Sequence, residues 1–160
     1  MKKLMCILMT IAMLFAGVAM ADSTETGLSK DVVVLFTSDV HCGVDAGFGY
    51  AGLAAVRDTV AKDNYVVLVD NGDSIQGEPI GTMSTGEIDI DLMNEIGYDI
   101  AIPGNHEFDY GMDRFLELTQ KANFPYISAN FTHNDELVFK PYVIKEFDGV
   151  KIAFVGITTP

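Results

Sequence analysis

The sequence predicts an α/β fold: a mainly parallel sheet with flanking helices and a C-terminal antiparallel hairpin. Three observations predict it. Apolar runs rich in β-branched residues, such as Val32-Val33-Val34-Leu35-Phe36, have the profile of strands covered on both faces. Stretches with apolar residues three and four apart separate these runs, and that alternation implies parallel strands joined by helices. Finally, Asp148-Gly149 stands between two strand patterns, which is a strong hairpin signal.

The elements follow in order. Residues 22–30 are short and polar and read as a flexible leader. Residues 31–37 form the first strand, and a loop with Gly43, Gly47 and Gly49 follows it. Ala51 to Ala61 reads as a helix, with Leu53, Val56 and Val60 in register. Tyr65-Val66-Val67-Leu68-Val69 is the second strand, broken by Asp70-Asn71-Gly72-Asp73-Ser74. A helix over Glu87 to Ile96 places Ile88, Leu92 and Ile96 on one face, with Gly97 as its stop. Asp99-Ile100-Ala101-Ile102 is a short third strand ended by Pro103-Gly104. A further helix runs from about Met112 to Ala122, with Met112, Phe115, Leu116 and Thr119 in register, and residues 125–129 make a fourth strand. Residues 142–147 and 150–155 are the arms of the hairpin.

The N-terminus has a different character. Lys2 and Lys3 precede an apolar run from Leu4 to Met20, then Ala19-Met20-Ala21 and polar Asp22-Ser23-Thr24-Glu25. This is the layout of a secretory signal peptide over residues 1–21, cleaved near Ala21. The run is at the short limit for a spanning helix, the alternative being an uncleaved anchor. Cleavage implies an extracytoplasmic protein with no stable membrane insertion, and a working domain over residues 31–160. Cys42 is the one cysteine outside the predicted signal, so no internal disulfide can form. The formal charge of −13 argues against binding a nucleic-acid polymer. A phosphate substrate would need local cations, which bound metals can supply.

Three polar blocks follow the first three strands: Ser38-Asp39-Val40-His41, Asn71-Gly72-Asp73 and Gly104-Asn105-His106-Glu107. In parallel sheets ligands bind beyond the carboxyl ends of the strands, where all three blocks fall. Asp39 and His41 are two apart, so in extended chain their side chains share a face and can reach one cation. Gly72 permits a tight turn that aims Asp73 back over the sheet end, where a carboxylate can bridge two cations. Asp70 competes for that role from nearer the strand. Asn105 can offer its amide oxygen to a metal. His106 can stay off the metal and contact substrate, while Asp109 holds its other ring nitrogen. Taken singly, the first two blocks read better as turn residues than as ligands, and Asp109 or Asp113 also suits a helix cap.

Taken together, in order, the blocks resemble the calcineurin-like metallophosphoesterases. The stretches Asn71-Gly72-Asp73-Ser74-Ile75-Gln76-Gly77, Gly104-Asn105-His106-Glu107-Phe108-Asp109-Tyr110-Gly111 and Val155-Gly156-Ile157-Thr158-Thr159-Pro160 are similar to its secreted 5′-nucleotidase and UDP-sugar hydrolase branch. The resemblance implies a four-layer α-β-β-α sandwich and two divalent cations (Mn, Zn, Fe or Mg). It implies Asp39 and His41 as ligands of the first metal, Asp73 as the bridge and Asn105 as a ligand of the second. His106 would face the substrate with Asp109 as its partner, and Asn105 would share in binding it. Glu107 is assigned a supporting role. The implied reaction is hydrolysis of a nucleotide or other small phosphate ester by a metal-activated water.

The family pattern also needs histidines further on, including a Gly-His-x-His block. This chain has three histidines in all, and His133 sits in a polar loop matching no family ligand. The expectation is therefore the N-terminal part of a longer catalytic domain, with a separate C-terminal substrate-binding domain beyond it. Two rivals stand beside a nucleotidase: a truncated, non-catalytic metal-binding fragment, and a same-fold hydrolase of another ester, such as a thiosulfate ester. Cys42 is expected to be a packed or loop thiol.

Overall fold

A computed structural model describes residues 27–159. The predicted signal peptide lies outside the described residues. Strands β1 (Val32–Thr37), β2 (Tyr65–Asp70) and β3 (Ile100–Ala101) form a parallel sheet in that order. Thr37 pairs with Asp70 and Asp70 with Ala101, so the three carboxyl ends are level. This register puts the start of each polar block next to the others.

Helices α1 (Gly49–Val60), α3 (Glu87–Ile96) and α4 (Met112–Lys121) lie close to their expected bounds. Helix α3 stops at Gly97, whose φ of 83° is the left-handed conformation that glycine adopts without penalty. Helix α2 (Pro79–Ser84) was not expected. It is too short to show a period, and it ends at Thr85 in a left-handed conformation. In α4 the buried residues are Phe115 and Leu118, whereas Thr119 turns its hydroxyl onto the Leu116 carbonyl at 2.8 Å. Gly111 is the N-cap of that helix, with no side-chain capping bond, so neither Asp109 nor Asp113 caps it.

The core divides across the sheet. Leu68 packs on the helical side with Leu53, Ile90, Met93, Phe115 and Leu118. Val67, Val69 and Ile100 point the other way, where Ile127, Val143, Phe147 and Phe154 meet them. Val143, Phe147 and Phe154 belong to the hairpin of β6 (Tyr142–Phe147) and β7 (Val150–Val155). Its turn has φ of 49° at Asp148 and 83° at Gly149, as a two-residue loop matched to strand twist requires. A smaller hairpin pairs β4 (Thr132–His133) with β5 (Glu136–Leu137) and leaves His133 exposed on the surface. The described end of the leader is tied down, because the Ser29 amide and hydroxyl both donate to Asp148 Oδ2 at 2.7 Å.

Two expectations need correction. The fourth strand over residues 125–129 is reduced to isolated bridges, Ala101 with Tyr126 and Ile127 with Lys140. Its partner β3 has only two residues before Pro103, and Pro125 has no N–H to donate, so a longer ladder cannot form. Strand β1 is not covered on both faces among the described residues. It is the edge of the sheet, and Val34 and Phe36 on one face are 46% and 68% exposed. No helix among the described residues is long and apolar enough to cross a membrane.

Candidate metal centre

The level strand ends are continued by backbone bonds between the first two blocks. Asn71 N–H donates to the Thr37 carbonyl at 2.9 Å, Asp39 to Gly72 at 3.0 Å, His41 to Asp73 at 2.9 Å and Cys42 to Ser74 at 2.8 Å. The chain is not extended here, contrary to the sequence expectation. Asp39, His41 and Cys42 have φ of 55°, 49° and 56°, and Asp73 has 58°. Left-handed backbone at non-glycine residues is costly and concentrates at functional sites. Asp39 and His41 therefore leave a tight turn, not two pleats on one face of a strand.

The second and third blocks meet backbone to backbone. Gly72 has φ of 94°, and a Cβ there would run into the Gly104 amide nitrogen. A Cβ on Gly104 would strike the Asp73 carboxylate. Both positions need glycine for close approach, and Gly72 needs it for conformation as well. His106 N–H then donates to Asp73 Oδ1 at 2.7 Å, joining the third block to the carboxylate of the second.

One imidazole from the first block, the carboxylate of the second and the imidazole of the third converge. His41, Asp73 and His106 each offer a ligand atom, all within 4.8 Å of one another. The two rings lie edge to face with centroids 4.9 Å apart. Each is oriented through Nδ1. His41 Nδ1 donates to the Gln76 carbonyl at 2.9 Å, and a carbonyl can only accept. His106 Nδ1 lies 2.8 Å from Asp109 Oδ2. In both rings Nε2 is left for a ligand. The Asp109 hydrogen bond chiefly raises the His106 pKa above its ordinary value; desolvation opposes it, and the Asp109, Asp73 and Glu107 charges each add a smaller upward push.

The remaining candidates are placed less centrally. Asp39 is not in the 4.8 Å set, and its Oδ2 accepts from the Ser38 hydroxyl at 2.5 Å. Asn105 is exposed at the head of the turn His106–Phe108 and makes no side-chain capping bond there. Asp70 is fully buried below the site, where it accepts from Thr37 Oγ1 at 2.9 Å and Gly72 N–H at 3.2 Å. Burial, reinforced by the Glu107 charge, pushes its pKa up to about 7. Asp73 is thus the better placed of the two rivals. Cys42 is buried as expected, its thiol turned onto the Ser74 carbonyl at 3.2 Å. Burial pushes that thiol up to about 12. Imidazole nitrogen, carboxylate and amide oxygen are together a donor set suited to first-row divalent cations, so the residues present fit the metals the motifs imply.

The site also contains features that the sequence did not show. The Gln76 carbonyl that fixes His41 is a backbone group and leaves no residue-type signal. Glu107 is fully buried and gathers backbone N–H groups from Asp73 and Ser74 in the loop after β2 and from Gly104 in its own loop. A carboxylate next to His106 gave only the hint of a supporting role.

Residues 32–157 match the calcineurin-like phosphoesterase family, and the chain belongs to it. It is similar to a 2′,3′-cyclic-nucleotide 2′-phosphodiesterase/3′-nucleotidase of Yersinia enterocolitica, with 31% identity over 95% of this chain and 28% of that protein. It is also similar to a 5′-nucleotidase of Vibrio cholerae, with 33% identity over 88% of this chain and 28% of the relative. Among solved structures, a 5′-nucleotidase precursor of Thermus thermophilus superposes with a TM-score of 0.71 at 27% identity, covering 79% of this chain and 28% of that one. The chain thus spans little more than a quarter of the length of these relatives.

Proposed function

We propose that the whole protein is an extracytoplasmic, metal-dependent phosphoester hydrolase of the 5′-nucleotidase kind, acting on nucleotides or related small phosphate esters. The observation that carries this reading is the convergence of His41, Asp73 and His106 at the level ends of three parallel strands. In this reading Asp39 and His41 would hold one divalent cation, Asp73 would be shared with a second, and Asn105 would ligate that second one. Two such cations supply positive charge for the phosphoryl oxygens and a water acidic enough to attack phosphorus at neutral pH.

The side chains have separate tasks. The Gln76 carbonyl keeps the His41 proton on Nδ1, so Nε2 stays a ligand. Asp73 accepts from the His106 amide at Oδ1, which restrains its carboxylate. His106 and Asn105 face the substrate. With Asp109 on Nδ1, a protonated His106 can donate from Nε2 to a phosphoryl oxygen or to the leaving oxygen. Residues beyond the first three blocks complete the second cation's ligands, and a further domain selects the substrate, in keeping with the share of the relatives' length covered here. A signal peptide over residues 1–21, a leader over 22–30 and a catalytic segment over 31–160 complete the proposal.

The test uses the whole protein, stripped with a chelator and reloaded with Mn²⁺ or Zn²⁺. Phosphate release from a nucleoside monophosphate or a model ester is expected only after reloading. No release from any nucleotide or model ester under either metal contradicts the reading.

A further inference from the structure

We propose that Glu107 is the positioning residue of this centre, the group that fixes the Asp73 carboxylate and the His106 loop relative to one another. The proposal rests on the metal-dependent reading above. Glu107 is fully buried, yet no lysine, arginine or histidine is paired with it among the described ion pairs. Backbone N–H groups satisfy its carboxylate instead. Oε2 accepts from Gly104 at 2.6 Å and from Asp73 at 2.8 Å, while Oε1 accepts from the Ser74 amide at 2.9 Å and its hydroxyl at 3.5 Å. A buried carboxylate in a nest of amides is held by charge-assisted bonds, roughly twice as strong as neutral ones.

The donors belong to two loops. Asp73 and Ser74 follow β2, whereas Gly104 follows β3. One carboxylate oxygen therefore bonds amides from both loops, at the place where Gly72 and Gly104 leave no side chain between them. The circuit closes through the preceding residue in sequence, because His106 N–H binds Asp73 Oδ1. Glu107 holds Asp73 by its backbone in the left-handed conformation, φ 58°, and His106 then holds the Asp73 side chain. Metal ligands need supporting groups of this kind, whose loss weakens metal binding without removing a ligand.

The test compares wild type, Glu107→Gln and Glu107→Asp in the whole protein. Glutamine has the same shape, but its amide must turn a donor toward at least one backbone N–H. Calorimetric titration of chelator-stripped protein with Mn²⁺ is expected to show affinity weakened about 10–100-fold in Glu107→Gln. With metal in excess, kcat is expected to fall while KM changes little. If Glu107→Gln lowers only the melting temperature and leaves Mn²⁺ affinity and kcat as in wild type, the proposal is overturned. Should Glu107→Gln not fold, Glu107→Asp carries the comparison, because it keeps the charge and lacks one methylene of reach. Weaker Mn²⁺ binding is expected there too, and wild-type affinity overturns the proposal. The titration needs no substrate: a wild type that binds Mn²⁺ but releases no phosphate contradicts the functional reading alone. A wild type that binds no Mn²⁺ overturns both.

Discussion

His106 shows how a single hydrogen bond sets the chemistry available to a residue. The Asp109 carboxylate at 2.8 Å is the leading cause of its raised pKa. Asp109→Asn removes the charge and keeps the shape, so the His106 pKa is expected to fall toward the ordinary histidine value. A proton NMR titration of the His106 ring reads this directly, and an unchanged midpoint contradicts it. Asp89 is a second carboxyl governed by its surroundings. It is fully buried, its Oδ2 accepts a long 3.4 Å bond from Tyr50, and its Oδ1 has no partner. Desolvation first, then the Asp70 charge and a smaller Glu107 contribution, push it up to about 8, against the Tyr50 hydrogen bond. The folded-state value is raised, so stability is fully present below about pH 4, the unfolded value, and is lost as pH rises toward 8. Asp89→Asn is expected to stabilise the protein at pH 8 by on the order of a few kcal/mol and to flatten the profile across that window. Urea melts from pH 4 to 8 check it, and parallel profiles for the two proteins contradict it.

At the scale of elements, the decisive contact is loop on loop. Gly72→Ala would force a Cβ into the Gly104 amide and a side chain into φ 94°. The conformation alone is expected to cost about 1–3 kcal/mol, with metal binding lost in the same variant. Denaturant melts and a metal titration measure the two effects. Wild-type values in both contradict the packing described. Much of this level was legible in the sequence. The run Tyr65 to Val69 announced a buried strand, and Asp148-Gly149 announced the hairpin. The Gly97 stop was equally plain. What escaped was short or dictated by neighbours. Helix α2 has six residues and no period to read, and residues 125–129 lost their ladder to a truncated partner. At the site, the first three strand ends named the polar blocks, and Asp73 and His106 meet His41 there. The Asp39–His41 geometry did not follow from strand periodicity, because hydrogen bonds to Gly72 and Asp73 pull that segment into a left-handed turn. Glu107 and the Gln76 carbonyl act through backbone partners, which a residue-type pattern does not encode.

Across the whole molecule, the helices cover one face of the sheet and the hairpin part of the other. Val34, Phe36, Val69, Ile100, Phe154 and Val155 line a groove of about 230 Å³ on that second face. Val34, Phe36 and Val155 remain exposed. Helices, parallel sheet and hairpin are thus the described portion of the α-β-β-α sandwich that the motifs imply, and the relatives extend well beyond the shared segment. The function proposed for the whole protein depends on one arrangement, the meeting of three strand ends around Asp73. Its most direct test is phosphate release from a nucleoside monophosphate by the whole, Mn²⁺-loaded protein, wild type beside Asp73→Asn. The wild type is predicted to carry two cations and release phosphate, and the variant to lose metal and activity while still folding. A variant that keeps both would contradict the central role given to Asp73.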